Sequence, residues 1–600
     1  MKELSFNTTR EELIRELEDW SNRIFGPTFK FRPMQKETIV EVIYSWYHGS
    51  KNFILDAPTG SGKSIIAMCV AGLLSDVYGK TGYILISDLS LLKQYEDDVD
   101  VYFPTWGVIR GRQTYTCQRN MMPFTVGTCT LEGMTSYVDI VTNYKECAPY
   151  CEYIVAREKA KEAPVTVCTY SHWLLQQNYV RAHLQENAPF QKRDFVICDE
   201  AHKLVDIVQN HFSPKFGKDD LNKIYSVVEN SSGNYSATLK DLENVRNEIK
   251  FNNDVKALKD LLNKYVKYLD TLANAAERIK LSFSGLTDDP FSKEPPKMKS
   301  LSPADRKLLR NCEFVKDHFC KFDDYVKIIN AIGPEAIVKN DSENGNNITF
   351  NCINESYLLR KTFHTNAELK MYMSATIGDP NIYASDICLT GKYVSSKLPI
   401  CFDYSKSPIF YVNEYKMSYA EKDRSFPQIM KMIESILSMY PDKRGIIQTG
   451  SYAFANKLYE EINPSLQSRL ILYKDTLEKQ ESLDAYKFAD NKVLIGPSLV
   501  EGLSLDDDLC RFLIIMKIPY LSLADKYVDA KRKYNPIWYS NATSILMLQG
   551  IGRGVRNEHD WCVTFILDAC FQGLFNTTKS MYPPEFVNRI QVINSSNLIK

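Results

Sequence analysis

The chain reads as an α/β protein with two parallel-sheet domains, and three observations predict this. A short apolar run, Phe53-Ile54-Leu55, enters the Gly-rich turn Ala57 to Ser64 and then a helix-like stretch. A second run, Phe195-Val196-Ile197-Cys198, ends on Asp199 and Glu200. Far downstream, "KRGIIQTGSYAFANKL" and "NKVLIGPSLVEG" repeat the strand–turn–helix pattern. Strands that alternate with helices lie parallel, and such sheets place their chemistry at the carboxyl ends of the strands.

The first turn, Ala57-Pro58-Thr59-Gly60-Ser61-Gly62-Lys63-Ser64, fits a phosphate-binding loop with Ala in the first Gly position. Gly60 and Gly62 let backbone N–H groups approach phosphate oxygens. Lys63 reaches the β- and γ-oxygens, and the Ser64 hydroxyl can hold Mg²⁺. The acids after the second strand are the expected partners: Asp199 for Mg²⁺ and Glu200 to orient and deprotonate an attacking water. A solvated acidic pair is the bland alternative, and the strand before it and "AH" after it weigh against that.

Three later segments complete the pattern. "MYMSATIGD" ends an apolar stretch with Ser374-Ala375-Thr376. "VLIGPSLVEGLSLDDD" places Glu501 and Gly502 after a strand, where they can reach the nucleotide. "ILMLQGIGRGVRNEHD" offers Gln549, Arg553 and Arg556, and two arginines three residues apart share one helical face from which both can point at a γ-phosphate.

Composition bounds the rest. The chain has 600 residues, 44 % apolar and 24 % charged, enough for about three or four domains. The N-terminal "MKELSFNTTREELIRELEDW" is amphipathic and unlike a signal peptide, and no run of eighteen apolar residues occurs. A soluble, cytoplasmic protein with no membrane partner is expected. The net charge of −1 argues against a chromatin-like coating protein but not against an enzyme that meets a polyanion in local basic grooves. Fifteen cysteines, an odd number widely scattered, indicate reduced thiols.

Four of those cysteines crowd into one segment: Cys117, Cys129, Cys147 and Cys151. Even spreading would put about one there. Four thiolates can hold Zn²⁺ or an iron–sulfur cluster, and incidental thiols remain a third reading. An insert of about fifty residues buries too little apolar surface to be rigid alone, so metal–sulfur bonds would stiffen it.

The order "RPMQ", "APTGSGKS", "DEAH", "SAT", "VEGLSL", "QGIGRGVR" resembles a superfamily-two, DEAH-type helicase. "GRQTYTC", the cysteine-rich segment and "CEYIVAREKAKEAPVTVCTYSHWLL" resemble the XPD/DinG family of iron–sulfur DNA helicases. The resemblance runs from about Phe31 to Asp568. It implies two RecA-like motor domains, ATP read through Gln35, a [4Fe–4S] cluster on the four cysteines, and 5′-to-3′ movement on single-stranded DNA. Ser374 and Thr376 would couple hydrolysis to strand movement, and Gln549, Arg553 and Arg556 would sense hydrolysis. Ser504 stands where the family usually has Asp. The implied partners are single-stranded DNA and its junctions with duplex, with RNA–DNA hybrids a further candidate, and the implied setting is DNA repair or replication. A monomer is expected. Arg112 and Tyr115 are candidates for phosphate contact and base stacking, with ordinary surface residues the alternative. The rival function is a DNA-stimulated translocase that strips protein or RNA without extensive unwinding.

On this reading the first motor occupies residues 1–103, 152–204 and 347–399. The iron–sulfur insert is 104–151, a helical arch-like insert is 205–346, and the second motor is 400–600. Within the arch, Leu258, Leu262, Tyr265, Leu269, Leu272, Ala276 and Ile279 form a 3.5-residue seam that predicts a long packed helix. "GLTDDPFSKEPPKMKSLSP" breaks it, and a second helix is expected from about Ala304.

Overall fold

A computed structural model describes residues 5, 7–58, 60–131, 140, 142–283, 302–341, 347–399, 404–472, 479–497, 507–555 and 560–599, apart from the side chains of 182, 183, 404, 479, 480, 507 and 553. The first motor carries a seven-stranded sheet: β1 (Asn52–Asp56), β2 (Gly82–Ile86), β3 (Gly107–Ile109), β4 (Val165–Thr169), β5 (Arg193–Cys198), β6 (Ala367–Ser374) and β7 (Tyr393–Lys397). Every pairing is parallel, in the order β7-β1-β6-β5-β2-β4-β3. Burial of both faces explains the unbroken apolar runs of its central strands.

The second motor repeats this. Its strands are β8 (Ile409–Val412), β9 (Gly445–Gln448), β10 (Leu470–Leu472), β11 (Val493–Gly496), β12 (Phe512–Ile515), β13 (Val563–Ile566) and β14 (Ile590–Ile593). Their order is β14-β8-β13-β12-β9-β11-β10, again all parallel. Strand for strand, this is the order of the first sheet.

Two bounds differ from the sequence reading. β3 pairs with β4, so the first sheet continues to Ile109 and the cysteine insert begins later than residue 104. Gly107 fixes this join: a Cβ there would stand 2.3 Å from the Cα of Ala160 in helix α1 (Glu152–Glu162). At the other end, Ile348–Cys352 pairs with Ile337–Asp341 and Lys215–Phe216 in a small antiparallel sheet. That sheet roots the arch, so the arch extends past residue 346.

The arch is led by helices α2 (Val255–Ser282) and α3 (Pro303–Ile332). All seven residues of the predicted seam are buried. Ser302 and Asp305 form a capping box that starts α3, close to the expected position. Tyr265 and His318 bond across the pair at 3.0 Å. Most of the predicted break lies outside the described residues. The cysteine insert docks on this arch through Met122, Val126 and Leu131 against Leu309, with a hydrogen bond from Gln113 Nε2 to Asp317 at 3.2 Å. Among the described residues, no helix is long and apolar enough to cross a membrane.

Candidate active site

The carboxyl ends of β1, β5 and β6 converge on one edge. After β1, Gly60 and Gly62 take positive φ, 79° and 77°, the left-handed region that glycine enters without strain. Gly62 is also crowded: a Cβ there would lie 2.5 Å from the Gln35 amide nitrogen. Lys63 opens the helix that follows, Lys63–Asp76. Gln35 is buried, donates to the Ser61 carbonyl at 2.7 Å and accepts the Arg32 N–H at 2.8 Å. Its amide is therefore held against the loop. Ala57 joins the loop to the neighbouring strand by donating to the Ser374 carbonyl at 2.8 Å. The Ser61 hydroxyl is buried with no partner in the protein, and Thr59 lies outside the described residues.

Asp199 follows β5 and is buried. Tyr95 donates to its Oδ2 and the Glu200 N–H to its Oδ1, both at 2.8 Å, while Tyr170 donates to its carbonyl at 2.9 Å. Burial raises the pKa of Asp199, the adjacent Glu200 adds to this, and Lys63 opposes it. Glu200 sits in left-handed backbone at φ 49°. Burial pushes its carboxyl up, but His202 and the charge of Lys63 outweigh that and hold it low. Lys63 Nζ is 3.9 Å from Glu200 Oε1. Tyr95 and Tyr170 escape sequence reasoning, because nothing local marks a tyrosine that will meet an acid tens of residues away. His202 was legible as the last letter of "DEAH".

A polar relay runs from this edge to the second motor. His202 Nδ1 lies 2.7 Å from Ser374 Oγ, which is 3.3 Å from Glu200 Oε2. Ser374 Oγ is also 3.4 Å from Thr376 Oγ1, and Gln549 Nε2 donates to that oxygen at 3.3 Å. Gln549 belongs to helix α4 (Pro536–Ile551), which leads into the turn Gly552–Gly554. The Arg553 side chain and residues Arg556, Glu501, Gly502 and Ser504 lie outside the described residues.

The four clustered cysteines line one small pocket walled by Phe124, Ile140 and Tyr144. Burial pushes the Cys129 thiol up to about 11, and Cys117 and Cys151 add to it. Burial and the neighbouring thiols raise Cys147 in the same way. Among the described residues, no three His, Cys, Asp or Glu side chains form a metal-ligand group. The donor chemistry nonetheless fits a thiolate-bound metal group, since four thiols line one pocket with apolar and aromatic walls. Cys168 is apart, buried in β4.

One expectation for the insert is corrected. Tyr115 is only 8 % exposed, its hydroxyl accepts the Arg110 N–H at 3.1 Å, and its ring meets Tyr153 edge-on at 5.5 Å. Its ring face belongs to the core of the insert and is closed to a base. Arg112 is exposed, on the same turn as Gln113. Among the described residues of the segment Tyr150 is an exposed aromatic, at 73 %, between Cys147 and Cys151.

Residues 433–583 match the family described as a helicase C-terminal domain, and residues 28–217 the family described as the res subunit of type III restriction enzymes. The chain is 22 % identical over 471 residues to the ATP-dependent DNA helicase YoaA of Escherichia coli K12, covering 70 % of this chain and 67 % of that protein. It is 25 % identical over 163 residues to the ATP-dependent DNA helicase CHL1 of Scheffersomyces stipitis, covering 24 % of this chain and 19 % of that one. Among solved structures it resembles one described as an XPD helicase, with a TM-score of 0.60 at 15 % identity over 94 % of this chain and all of that one. The Xpd4 structure from S. tokodaii gives 0.56 at 14 % over the same shares.

Proposed function

We propose that the chain is an XPD/DinG-like superfamily-two helicase, an ATP-driven motor that moves 5′ to 3′ along single-stranded DNA and opens duplex ahead of it. The observation that carries this is the relay Glu200–Ser374–Thr376–Gln549, which joins the acid edge of one motor to the other motor. Chemistry placed at a seam between two domains can be switched by whatever moves them, and a strand lying across both is such an agent.

Each residue then has a role. Gln35, already pressed on the loop, reads the adenine edge. The backbone of Ala57, Thr59, Gly60, Ser61 and Gly62 cradles the phosphates, with Glu501 and Gly502 closing from the second motor. Lys63 leaves Glu200 to hold the β- and γ-oxygens. Ser64 and Asp199 would hold Mg²⁺, which would supply positive charge to the phosphates. Glu200, kept ionised by its neighbours, orients the water and takes its proton. Arg553 and Arg556 stabilise the leaving charge, a contribution worth about 10³–10⁵ in rate in comparable enzymes.

Cys117, Cys129, Cys147 and Cys151 would hold the [4Fe–4S] cluster. When bound, the cluster supplies cross-links that stiffen the insert. The insert rests on the arch, and Arg112 lies exposed on it for a phosphate. A stiff insert there serves as a wedge.

A strand-displacement assay with 5′ and 3′ overhangs, run beside ATPase with and without single-stranded DNA, tests the motor. Unwinding from the 5′ overhang with strongly stimulated hydrolysis is expected. Stimulated hydrolysis without displacement would instead assign the translocase activity, and equal hydrolysis with and without DNA would sink both. For the wedge, Cys147→Ser should lose iron and unwinding while DNA-stimulated hydrolysis persists at a reduced level. Stoichiometric zinc without iron in anaerobically prepared parental protein would remove the cluster.

A further inference from the structure

The edge of the first sheet opposite the nucleotide site carries a groove that nothing in this mechanism uses. It encloses about 710 Å³ between the helical segment 176–187, the arch helix α3 and residues 361–366. This falls within the usual 300–1,000 Å³ of ligand sites. It shares Lys192, Thr365 and Asn366 with a second hollow of about 420 Å³ at the start of β5 and β6, so the depression is elongated along the sheet edge.

Three features mark it as built. Arg181, Lys192, Lys327 and Lys361 line it beside two acids, Glu186 and Asp324, so cations are in excess. Lys327 pairs with Asp323 at 2.5 Å, and among the described residues Arg181, Lys192 and Lys361 pair with no carboxylate. Arg181 donates to Asn366 Oδ1 at 2.6 Å, Lys192 to the Thr365 carbonyl at 2.8 Å and Lys361 to the Tyr357 hydroxyl at 3.2 Å. The acids of the second hollow are already engaged, Asp194 with Lys80 at 3.6 Å and Glu368 with Lys51 at 2.9 Å. Second, Gln177 also lines the groove and is only 2 % exposed. Its amide nitrogen donates to the Phe190 carbonyl at 3.1 Å, but its Oε1 has no partner in the protein. A buried acceptor left unmet is costly, so a ligand donor is called for. Third, Gln176–Val180 is a π-helical turn, and Gln185 takes φ 47°. Both are local departures of the kind that cluster at functional sites.

Unpaired cations beside amide side chains and an open acceptor suit a ligand that carries both phosphate and N–H donors. We propose that this groove binds single-stranded nucleic acid, with Arg181, Lys192 and Lys361 on phosphates and Gln177 accepting from a base. This rests on the helicase reading above and adds a second contact on the back of the first motor. Burial and the charge of Arg181 lower the Lys192 pKa.

The test is binding of oligo(dT) of increasing length to the parental protein and to Lys192→Ala/Lys361→Ala, by anisotropy across a salt series. Short oligonucleotides should bind both equally. Long ones should bind the variant at least tenfold more weakly, and the salt slope should flatten by about 1.4, two phosphate contacts at about 0.7 each. Equal affinity and slope at every length would overturn the groove while leaving DNA-stimulated hydrolysis intact. That separates its failure from failure of the motor, in which no oligonucleotide stimulates hydrolysis. A double variant that loses affinity for an acidic peptide, but not for long oligonucleotides, would also overturn it.

Discussion

The two sheets share one strand order, yet their carboxyl edges are finished in opposite ways. In the first, β1 opens into a loop whose Gly60 and Gly62 adopt left-handed backbone. In the second, the segments after β8, β12 and β13 are tied together by an internal carboxylate. Asp568, 1 % exposed and just past β13, accepts the N–H groups of Met417 and Cys570 on Oδ1 at 2.9 Å and of Ile518 on Oδ2 at 3.0 Å. One sheet offers its edge to a phosphate, while the other has folded its own anion into that edge. Topology alone does not make an ATPase; what fills the edge decides it.

The largest effect should come from breaking the active side. Glu200→Gln should lower kcat for ATP by about 10²–10⁴ while nucleotide binding is retained, the range for loss of a general base. Turnover near the parental rate would show that the acid edge of the first sheet is no more reactive than that of the second.

The matching change on the inert side should act on stability and leave the chemistry alone. Asp568→Asn removes the charge from three bonds to backbone N–H groups, and a loss of about 3 kcal/mol is expected, since bonds to charged groups are worth about 1.5–3 kcal/mol each and do not add. Denaturant unfolding should show the second motor melting earlier, with residual hydrolysis following the folded fraction. Unchanged stability would mean that the carboxylate is not what closes this edge.

The halves should also differ in acid. Burial lowers the pKa of His172, in the first motor, to about 4, and His318 of the arch is likewise depressed by burial. The unfolded chain binds their protons near 6.5 and the folded chain only below that, so stability is full above pH 6.5 and falls with pH. The loss is about 1 kcal/mol for each histidine between pH 7 and 5.5. Among its described residues the second motor contains no histidine. Domain-resolved hydrogen exchange should therefore show the first motor and arch loosening before the second. Simultaneous loosening would place the acid sensitivity elsewhere.

How much of this was legible follows from how far apart the partners sit in the chain. The phosphate loop, Asp199 and Glu200 were plain because each is a contiguous run with its strand attached. The arch seam was plain because helical spacing is local. Tyr95, Tyr170 and Asp568 act on groups that only the crossovers bring near, so no spacing marks them. Tyr115 misled because an aromatic beside an arginine looks the same whether its ring faces solvent or the core. β3 was lost to the insert because three residues are too few to show a strand period. The shared strand order was hidden for the same reason as the tyrosines: order in a sheet is set by which crossovers pack, and the two motors share little local sequence at their first turns.

The smallest expected effect probes whether the two edges speak to each other. Gln549 and Thr376 form a neutral bond at 3.3 Å across the seam, worth about 0.5–1.5 kcal/mol. Gln549→Ala and Thr376→Val should each leave hydrolysis without DNA nearly unchanged, because neither touches the loop or the acids. Each should lower the DNA-stimulated rate a few-fold, because Thr376 leads through Ser374 to Glu200. The double variant should lose no more than the larger single loss, a coupling of about 1 kcal/mol. Stimulated rates that fall additively would mean that the bond carries no signal and that the second edge acts on the first through its arginines alone.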